Sequence, residues 1–281
     1  TDVIIVDESS MLSKNQAEKI SARSAKSLVT FLADFYQLPP VNGENAKKVF
    51  GKMKTFTLTE QKRNAGEILS LCNKLRSGIF WPSSSSENIK LYDSRIDLVK
   101  KVAADIKIDE DPYKTSFLAF TNASVKNARN YIHSQLFGDE SFHSGQYVRI
   151  EEGDEMCPFT NGEMCQITKL KTSEIKLFDI DVDCYEVTLT NVISNEDYDA
   201  IILNYEVQDV VQEALAKAYK DAEKYWYDFK ANSNEFSKQK WAETVNHVKQ
   251  TSKIVFVGSP YSMTVHKAQG RSIDEVFVDT A

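Results

Sequence analysis

The first twelve residues, TDVIIVDESSML, constrain the fold of this chain more than any other stretch. Residues 3–6 (VIIV) form an unbroken β-branched run, and Asp7 and Glu8 follow at once. Such a run predicts a strand buried on both faces of a parallel sheet. Ligands of open α/β sheets bind beside the carboxyl ends of the strands. We therefore expect Asp7 and Glu8 to lie at a binding edge.

Two carboxylates at such an edge suit metal-assisted chemistry. Asp7 would hold a hydrated Mg²⁺, which binds proteins through one or two carboxylates and keeps several waters. Glu8 would orient a water and act as its base. The alternative is a strand that ends in acidic turn residues, and the short motif alone does not decide between the two.

A second strand is predicted close behind the first. Residues 13–25 are polar and helix-compatible, and residues 27–34 (SLVTFLAD) form another apolar run with an aspartate at its end. This order predicts a parallel sheet. Pro39 and Pro40 impose an extended path after Gln37, which fixes the direction of that amide. A plain proline turn is the alternative.

An arginine follows in a predicted strand-to-helix turn. A short strand starts at Phe56, helical spacing starts at Ala65, and Gly78 is placed to end that helix. Arg63 lies in the turn between them, where a guanidinium commonly reaches a phosphate. A solvated surface arginine is the alternative. The stretch 81–87 (WPSSSSE) predicts a linker at a domain boundary.

A second α/β unit is predicted after this linker. It has a helix over 91–106, a buried strand over 115–120 and a helix over 123–137. Thr121 and Asn122 fall at the carboxyl end of that strand. They would either contact a phosphate backbone or cap the following helix.

From residue 145 the pattern changes to short strands, which predict a small antiparallel barrel or sandwich inserted into the second unit. The expected strands cover 146–150, 155–159, 163–170, 175–180, 184–190 and 199–204. Asn161-Gly162 is a strong signal for a two-residue hairpin. An amphipathic helix over 207–229 and a second helix over 238–249 follow.

Aromatic residues and lysines alternate in the first of these helices. Base stacking beside cations is one way in which single strands are held. We favour an aromatic core stripe with solvated lysines, because Trp226 and Phe229 fall on the apolar face.

Polar residues crowd a short stretch late in the sequence, between strands predicted over 253–257 and 273–278. This stretch contains Thr264, His266, Lys267, Gln269 and Gly270. Four polar groups ahead of a glycine that permits close backbone approach are hard to explain by packing, and they favour a binding segment.

Bulk composition excludes several classes of protein. Of 281 residues, 42% are hydrophobic and 27% charged, so the chain can bury a sizeable core. No apolar run approaches the roughly 20 residues that span a bilayer, which predicts a soluble protein of the cytoplasm. Four cysteines without zinc-site spacing predict reduced thiols and no zinc. A net charge of −7 argues against a uniformly basic coat, although a local basic channel is compatible with it.

The sequence also lacks G-x-x-x-x-G-K-[ST], the loop that cradles phosphates. It starts in a strand without a methionine and stops just after another predicted strand. We therefore expect a fragment of a longer polypeptide that binds ATP weakly or not at all by itself. DNA-stimulated ATP hydrolysis that is lost on Glu8→Gln would contradict this expectation.

Four segments together resemble the motifs of one helicase family. VIIVDESSML, ADFYQLPPV, TLTEQKR and TVHKAQGRSID occur in the order and spacing of motifs II, III, IV and V of superfamily 1 helicases. AFTNASV and FTNGEMCQI resemble segments of the phage Dda helicases, which belong with the RecD proteins to the 5′-to-3′ branch. The resemblance is weakest over 83–111 and 193–250, and Ala33 stands where the family usually has glycine.

The resemblance implies roles for matching residues. Asp7 resembles the Mg²⁺-binding carboxylate and Glu8 the base that aligns the attacking water. Gln37 is similar to the glutamine that senses the γ-phosphate of ATP, and Arg63 to the arginine that stabilises its charge during transfer. Gln269 and Gly270 would lie near the nucleotide. The implied contacts to single-stranded DNA are Thr264, His266, Lys267, Thr121 and Asn122.

The implied fold is α/β, with two RecA-like parallel-sheet motor domains, the first incomplete, and an inserted small SH3-like β-barrel plus a helical extension. The expected parts are residues 1–82 for the first motor domain, 83–145 and 253–281 for the second, and 146–252 for the insertion, with the barrel over 146–204 and the helices over 205–252.

The implied function is that of an ATP- and Mg²⁺-dependent DNA helicase or single-strand DNA translocase that moves 5′ to 3′. Expected partners are single-stranded DNA, single/double-strand junctions, and proteins of replication or recombination. We expect a monomer in the cytoplasm, that of the host if the gene belongs to a phage. Two alternatives stay open: a nucleic-acid-binding remnant without ATPase activity, and a RecD-like subunit of a nuclease complex, against which the compact Dda-like layout argues.

Overall fold

The computed structural model describes residues 2–40, 43–60, 66–78, 85–109, 111–139, 141–153, 156–177, 180–251 and 254–280. The chain divides into two compact units, Thr1–Leu91 and Tyr92–Ala281. Both are mixtures of helices and strands, and each contains a parallel sheet.

The first unit contains the strand-helix-strand arrangement that the sequence predicts. Its elements are β1 (Asp2–Val6), α1 (Lys14–Ser21), β2 (Ser27–Phe31), α2 (Lys47–Phe50) and α3 (Gly66–Arg76). β1 and β2 pair in parallel, from Asp2 opposite Ser27 to Val6 opposite Phe31. Ser13 caps α1 in a capping box with Gln16. Gly78, in the left-handed region at φ 83°, follows the end of α3 as predicted.

Two predictions for this unit are wrong. β1 is not buried on both faces, since Val3 and Ile5 are 61% and 66% exposed, and their neighbour Leu28 on β2 is 59% exposed. Among the described residues this sheet has two strands, so one apolar face is left open. The strand expected from Phe56 is also absent, because residues 54–60 adopt no regular structure.

The second unit carries the remaining elements. They are α4 (Arg95–Ile108), β3 (Thr115–Ala119), α5 (Asn122–Phe137), β4 (Tyr147–Glu152), β5 (Met164–Leu177), β6 (Ile180–Asn191), β7 (Asp197–Ile202), α6 (Tyr205–Asn232), α7 (Glu235–Thr251), β8 (Phe256–Gly258), β9 (Ser262–Thr264), α8 (Val265–Ala268) and β10 (Glu275–Val278). β10, β3 and β9 form a parallel sheet with β3 in the centre. All five residues of β3 are buried, as predicted, against a core that includes Ile106, Ile132 and Phe277.

An antiparallel sheet in the order β7-β6-β5-β4-β8 makes up the rest of the strand structure. β5 and β6 pair over their whole common length, from Cys165 opposite Asn191 to Leu177 opposite Ile180. An isolated bridge between Ile201 and Ile254 joins the β7 edge to the chain just before β8, so the sheet meets itself at one point. Its apolar interior includes Val148, Ile167 and Leu189.

The strand prediction for this region needs three corrections. The expected strand over 155–159 is absent from its described part, residues 156–159. The strands expected over 163–170 and 175–180 are not separate strands, because β6 pairs with every residue from Lys169 to Leu177 and so extends β5 through the polar residues between them, while Ile180 begins β6. Asn161-Gly162 forms a turn before β5 and not a two-residue hairpin, since 11 residues separate β4 and β5.

β8 lies in a different kind of sheet from the one that the sequence predicts. The sequence predicts a strand over 253–257 with parallel-sheet texture, but β8 pairs antiparallel with β4, with Val257 opposite Ile150. Its residues are fully buried, which explains the continuous apolar run, since burial on both sides gives the same pattern in either kind of sheet.

α6 and α7 form a helical pair whose contact uses aromatic rings. The Trp226 and Trp241 ring centroids lie 5.0 Å apart, and Phe229 lies 6.0 Å from Trp226. Tyr219 and Tyr227 are 58% and 65% exposed. Trp226 is therefore part of the helix–helix contact, which agrees with the core interpretation. None of the described helices is both long and apolar enough to cross a membrane.

Candidate functional site

The carboxyl ends of β1 and β2 are tied together by main-chain hydrogen bonds. Leu32 N donates to Val6 O at 2.9 Å, and Ser9 N donates to Leu32 O at 2.9 Å. The Ser9 hydroxyl adds a 2.6 Å bond to Leu32 O, and Ser9 is fully buried. These bonds fix the turn that carries the predicted acidic pair. The sequence gives no sign of this role for Ser9, since a serine in a polar turn is ordinary.

Asp7 and Glu8 occupy that turn. Glu8 N donates to Asp7 Oδ1 at 2.8 Å, and Glu8 has left-handed backbone angles, φ 49° and ψ 34°. The Asp7 carboxylate is exposed, so its other oxygen is accessible to a hydrated Mg²⁺. Within the described ranges no three His, Cys, Asp or Glu side chains cluster to hold a metal ion. A single carboxylate fits Mg²⁺, which takes most of its ligands from water and phosphate.

Gln37 lies in the loop after β2, at the same edge of the sheet. The Asp34 carboxylate accepts bonds from Tyr36 N at 3.0 Å and from Gln37 Nε2 at 3.3 Å. Arg76, in the last turn of α3, donates to the same carboxylate at 2.7 Å. The Arg76 guanidinium also lies 5.3 Å from the centre of the Tyr36 ring. The loop that presents Gln37 is thus held by a helix residue that sequence reasoning missed.

The structure therefore brings Asp7, Glu8 and Gln37 to one edge of the β1–β2 sheet. Arg63, the fourth residue expected there, lies outside the described residues.

A second edge is formed by the carboxyl ends of β3 and β9, which pair with Ala119 opposite Thr264. The predicted nucleic-acid contacts come together there. Thr121 accepts a bond from Ser124 N at 3.2 Å and caps α5, and Asn122 is the exposed first residue of that helix. Thr121 therefore caps the helix, which is the alternative to a phosphate contact that the sequence left open.

Thr264 is less available than the sequence suggests. It is only 9% exposed, and its hydroxyl accepts a bond from Lys267 N at 3.3 Å, which caps α8. His266 is half-buried, with its ring centroid 6.0 Å from that of Phe120. Gly270 has φ 80°, which lets the chain turn directly after α8, and Gln269 before it is half-buried.

Lys267 is engaged in an ion pair. Its ammonium contacts Glu151, and the other Glu151 oxygen contacts the buried Arg149 on the same strand. Burial alone would raise the pKa of Glu151, but the Arg149 and Lys267 charges outweigh it and hold the pKa below its ordinary value. Sequence reasoning missed Glu151 and its partner Arg149, because the separation of 116 residues between Glu151 and Lys267 conceals the contact.

No protein-family model matches this chain. No curated protein matches it either. Among solved structures, one of two coordinating Pif1 helicases at forked double-stranded DNA is similar at 14% identity and a TM-score of 0.41, over 71% of this chain and 53% of that one. Two structures of Pif1 from Bacteroides are similar at 15% and 16% identity, with TM-scores of 0.28 and 0.26, over 72% of this chain and 57% of each of theirs. The chain thus spans little more than half the length of these proteins.

Proposed function

We propose that this chain is part of an ATP-driven DNA helicase or single-strand translocase of superfamily 1, with 5′-to-3′ polarity and RecD- or Dda-like character. The observation that carries the proposal is the placement of the motif residues. Asp7, Glu8 and Gln37 in the first unit, and Thr121, Asn122 and Thr264 in the second, lie at the carboxyl ends of neighbouring parallel strands, which is where α/β sheets bind ligands. The order of the four motifs resembles that of superfamily 1 helicases and so indicates the ligands, which would be ATP and single-stranded DNA.

In the first unit the edge would serve ATP hydrolysis. Asp7 would hold Mg²⁺, which supplies charge neutralisation on the phosphates when bound. Glu8 would orient the attacking water and accept its proton. Gln37, steadied by Asp34, would contact the γ-phosphate, and Arg63 would stabilise the transferred charge. The turn at Glu8 is held in place, because the Ser9 hydroxyl donates to Leu32 O directly after β2.

In the second unit the edge would hold the phosphates of single-stranded DNA through Thr121, Asn122, His266 and Lys267, with a limited contribution from buried Thr264. Phosphate contacts carry no sequence information, so binding would be sequence-independent and would weaken with salt. Gln269 and Gly270 would lie toward the nucleotide. Because Lys267 already pairs with Glu151, its release to a phosphate would require breaking that contact.

We further propose the domain roles and partners that go with this function. Residues 1–82 would belong to one RecA-like motor domain, 83–145 and 253–281 to a second, and 146–252 to an SH3-like barrel with its helical extension. The protein would act as a cytoplasmic monomer at single/double-strand junctions, beside replication or recombination proteins, and the gene would be of phage origin.

Two measurements test the proposal. We expect the chain to bind single-stranded oligonucleotides in fluorescence anisotropy, with log K falling linearly against log salt concentration. DNA-stimulated ATP hydrolysis by the protein that contains this chain should be lost in Glu8→Gln, whereas Glu18→Gln, an exposed carboxylate on α1, should leave it unchanged. Failure to bind single strands would overturn the proposal.

A second candidate function is a binding module without ATPase activity. The lack of G-x-x-x-x-G-K-[ST] in the sequence favours it. Salt-sensitive binding of single strands, together with no hydrolysis under any DNA concentration, would support this candidate over the motor.

A further inference from the structure

Glu151 connects the antiparallel sheet to the second candidate edge, which the carboxyl ends of β3 and β9 form. It lies on β4, where one carboxylate oxygen contacts Arg149 of the same strand and the other contacts Lys267 on α8. Lys267 comes three positions after Thr264, the last residue of β9. A carboxylate outside the four motifs is therefore in contact with a cation that is proposed to hold phosphate.

The two contacts of Glu151 differ in how firmly they are held. The Arg149 side chain is 3% exposed and that of Glu151 is 18% exposed, whereas the Lys267 side chain is 49% exposed. Breaking a buried pair leaves an uncompensated charge in the interior and is strongly unfavourable, but an exposed pair contributes little to stability. Glu151 therefore stays with Arg149, and Lys267 is the member that separates at low cost.

The surrounding sheet keeps the Glu151 carboxylate in place. Gly258 on β8 lies opposite Arg149, and a Cβ atom at this position would overlap Glu151 Oε1 and lie 2.9 Å from Arg149 Nη2. The glycine thus makes room for the buried pair. β4 is paired on both sides, with β5 and β8, so the strand that carries the carboxylate is held when Lys267 moves away.

A carboxylate at this place opposes phosphate binding in two ways. It neutralises the Lys267 ammonium, and it puts a negative charge beside the cation that an anionic strand approaches. Burial alone would raise the pKa of Glu151, but the charges of Arg149 and Lys267 hold it below its ordinary value. The group is therefore charged at neutral pH, where both effects operate.

We propose that Glu151 competes with the strand for Lys267: its carboxylate occupies the ammonium until a phosphate displaces it, and it thereby lowers the affinity of the second edge for single strands. This inference rests on the proposed function and adds a residue that regulates one of its phosphate contacts. A motor that advances along a strand has to release each phosphate as well as bind it. A carboxylate held beside the lysine would shorten the lifetime of that contact.

The test removes the charge of Glu151 and keeps its shape. Binding of the full chain to an oligothymidylate is measured by fluorescence anisotropy over a range of salt concentrations. We expect Glu151→Gln to tighten binding about two- to fivefold at low salt, the range for one exposed ion pair, and the gain to shrink as salt screens the charges. The slope of log K against log salt concentration should become steeper by up to about 0.7, the value of one phosphate contact on a single strand.

Three further variants show whether the gain comes through the lysine. Lys267→Gln should cancel the gain in the Glu151→Gln background and should change affinity less in the wild-type background, where Lys267 is already neutralised. Arg149→Met combined with Glu151→Gln removes both buried charges, which avoids an uncompensated guanidinium, and should tighten binding to the same extent. Glu186→Gln is the matched control, because this carboxylate pairs with Lys171 in the same sheet, and it should leave affinity unchanged.

The outcomes separate this inference from the proposed function. Unchanged or weaker binding in the variants of Glu151 that fold would overturn the inference, and weaker binding would show that Glu151 positions Lys267 for the phosphate. A gain that persists when Lys267 is also replaced would overturn it too, since the cause would be a general charge effect. These results leave the proposed function standing. A wild-type chain that does not bind oligothymidylate overturns the proposed function, and the competition with it.

Discussion

Glu8 combines a proposed chemical role with an unfavourable backbone conformation. Left-handed angles cost an L-residue other than glycine roughly 1–2 kcal/mol, because Cβ approaches the following carbonyl oxygen. The angles persist at Glu8 because Ser9 is bonded to Leu32 on one side and the Glu8 amide to Asp7 on the other. Strain of this kind is found at active sites, where the surrounding structure enforces it.

At most positions alanine gives a more stable protein than glycine does, but at position 8 we expect the opposite order of stability. We expect Glu8→Gly to be more stable than Glu8→Ala by about 1 kcal/mol, since glycine adopts φ 49° without strain. Urea denaturation of both variants measures the difference. Alanine equal to or more stable than glycine would show that the turn relaxes out of the left-handed region once the carboxylate is removed.

At the scale of elements, the Gln37 loop and α3 are joined by one side chain. Arg76 pairs with the Asp34 carboxylate, which accepts bonds from both the Tyr36 amide and the Gln37 side chain, and its guanidinium also lies over the Tyr36 ring. Partly exposed ion pairs contribute little to global stability. The effect of this contact should therefore be local order in the loop and not the free energy of unfolding.

We expect Arg76→Ala to speed amide hydrogen exchange in a peptide that covers residues 33–40, with little change in melting temperature. Arg76→Lys should restore part of the protection, because an ammonium can reach the carboxylate but lacks the planar contact with Tyr36. Lys74→Ala, an exposed cation on the same turn of α3, is the control and should leave exchange unchanged. Unchanged exchange in Arg76→Ala would contradict the anchoring.

Helices and strands could be predicted from the sequence where the apolar residues recur with a clear period. β2, β3, α5 and α6 all occur close to the predicted positions, because strands of buried apolar residues and a 3.6-residue stripe have few alternatives. The partners of strands were not predictable in the same way. The apolar run before Ser259 indicates burial but not which sheet provides it, so the sequence predicts a parallel sheet for β8 and the structure shows an antiparallel one. Arg149 and Glu151 were missed for the same reason, since an ion pair between distant segments leaves no local pattern.

At the scale of the whole molecule, the second unit carries a histidine whose charge opposes folding. His133 is 7% exposed, packs 4.9 Å from the Phe137 ring, and contacts the Asp139 carbonyl through Nδ1 at 2.9 Å. Burial lowers the pKa of His133 below its ordinary value of 6.5, and the hydrogen bond to Asp139 only partly offsets this. The unfolded chain thus binds a proton at a higher pH than the folded chain does.

The stability of this unit should therefore fall as the pH drops below 6.5, with a slope of at most about 1.4 kcal/mol per pH unit, until the folded-state pKa is passed. His133→Phe removes the titrating group and keeps a ring in the same place, so we expect a flatter profile between neutral and mildly acidic pH. Thermal melts followed by circular dichroism across this range measure it. An identical slope in both proteins would show that His133 titrates alike in the folded and unfolded states.

The short connection between β8 and β9 also has a mechanical consequence. Three buried residues, Ser259 to Tyr261, separate a strand of the antiparallel sheet from a strand of the parallel sheet. The four Cα–Cα steps from Gly258 to Ser262 reach at most about 14 Å, so a buried connection of that length can lengthen very little. A pull on a strand of DNA held beside Thr264 would pass within a few residues into β8 and its partner β4. If the second edge binds DNA as proposed, the antiparallel sheet would bear part of the force that acts there.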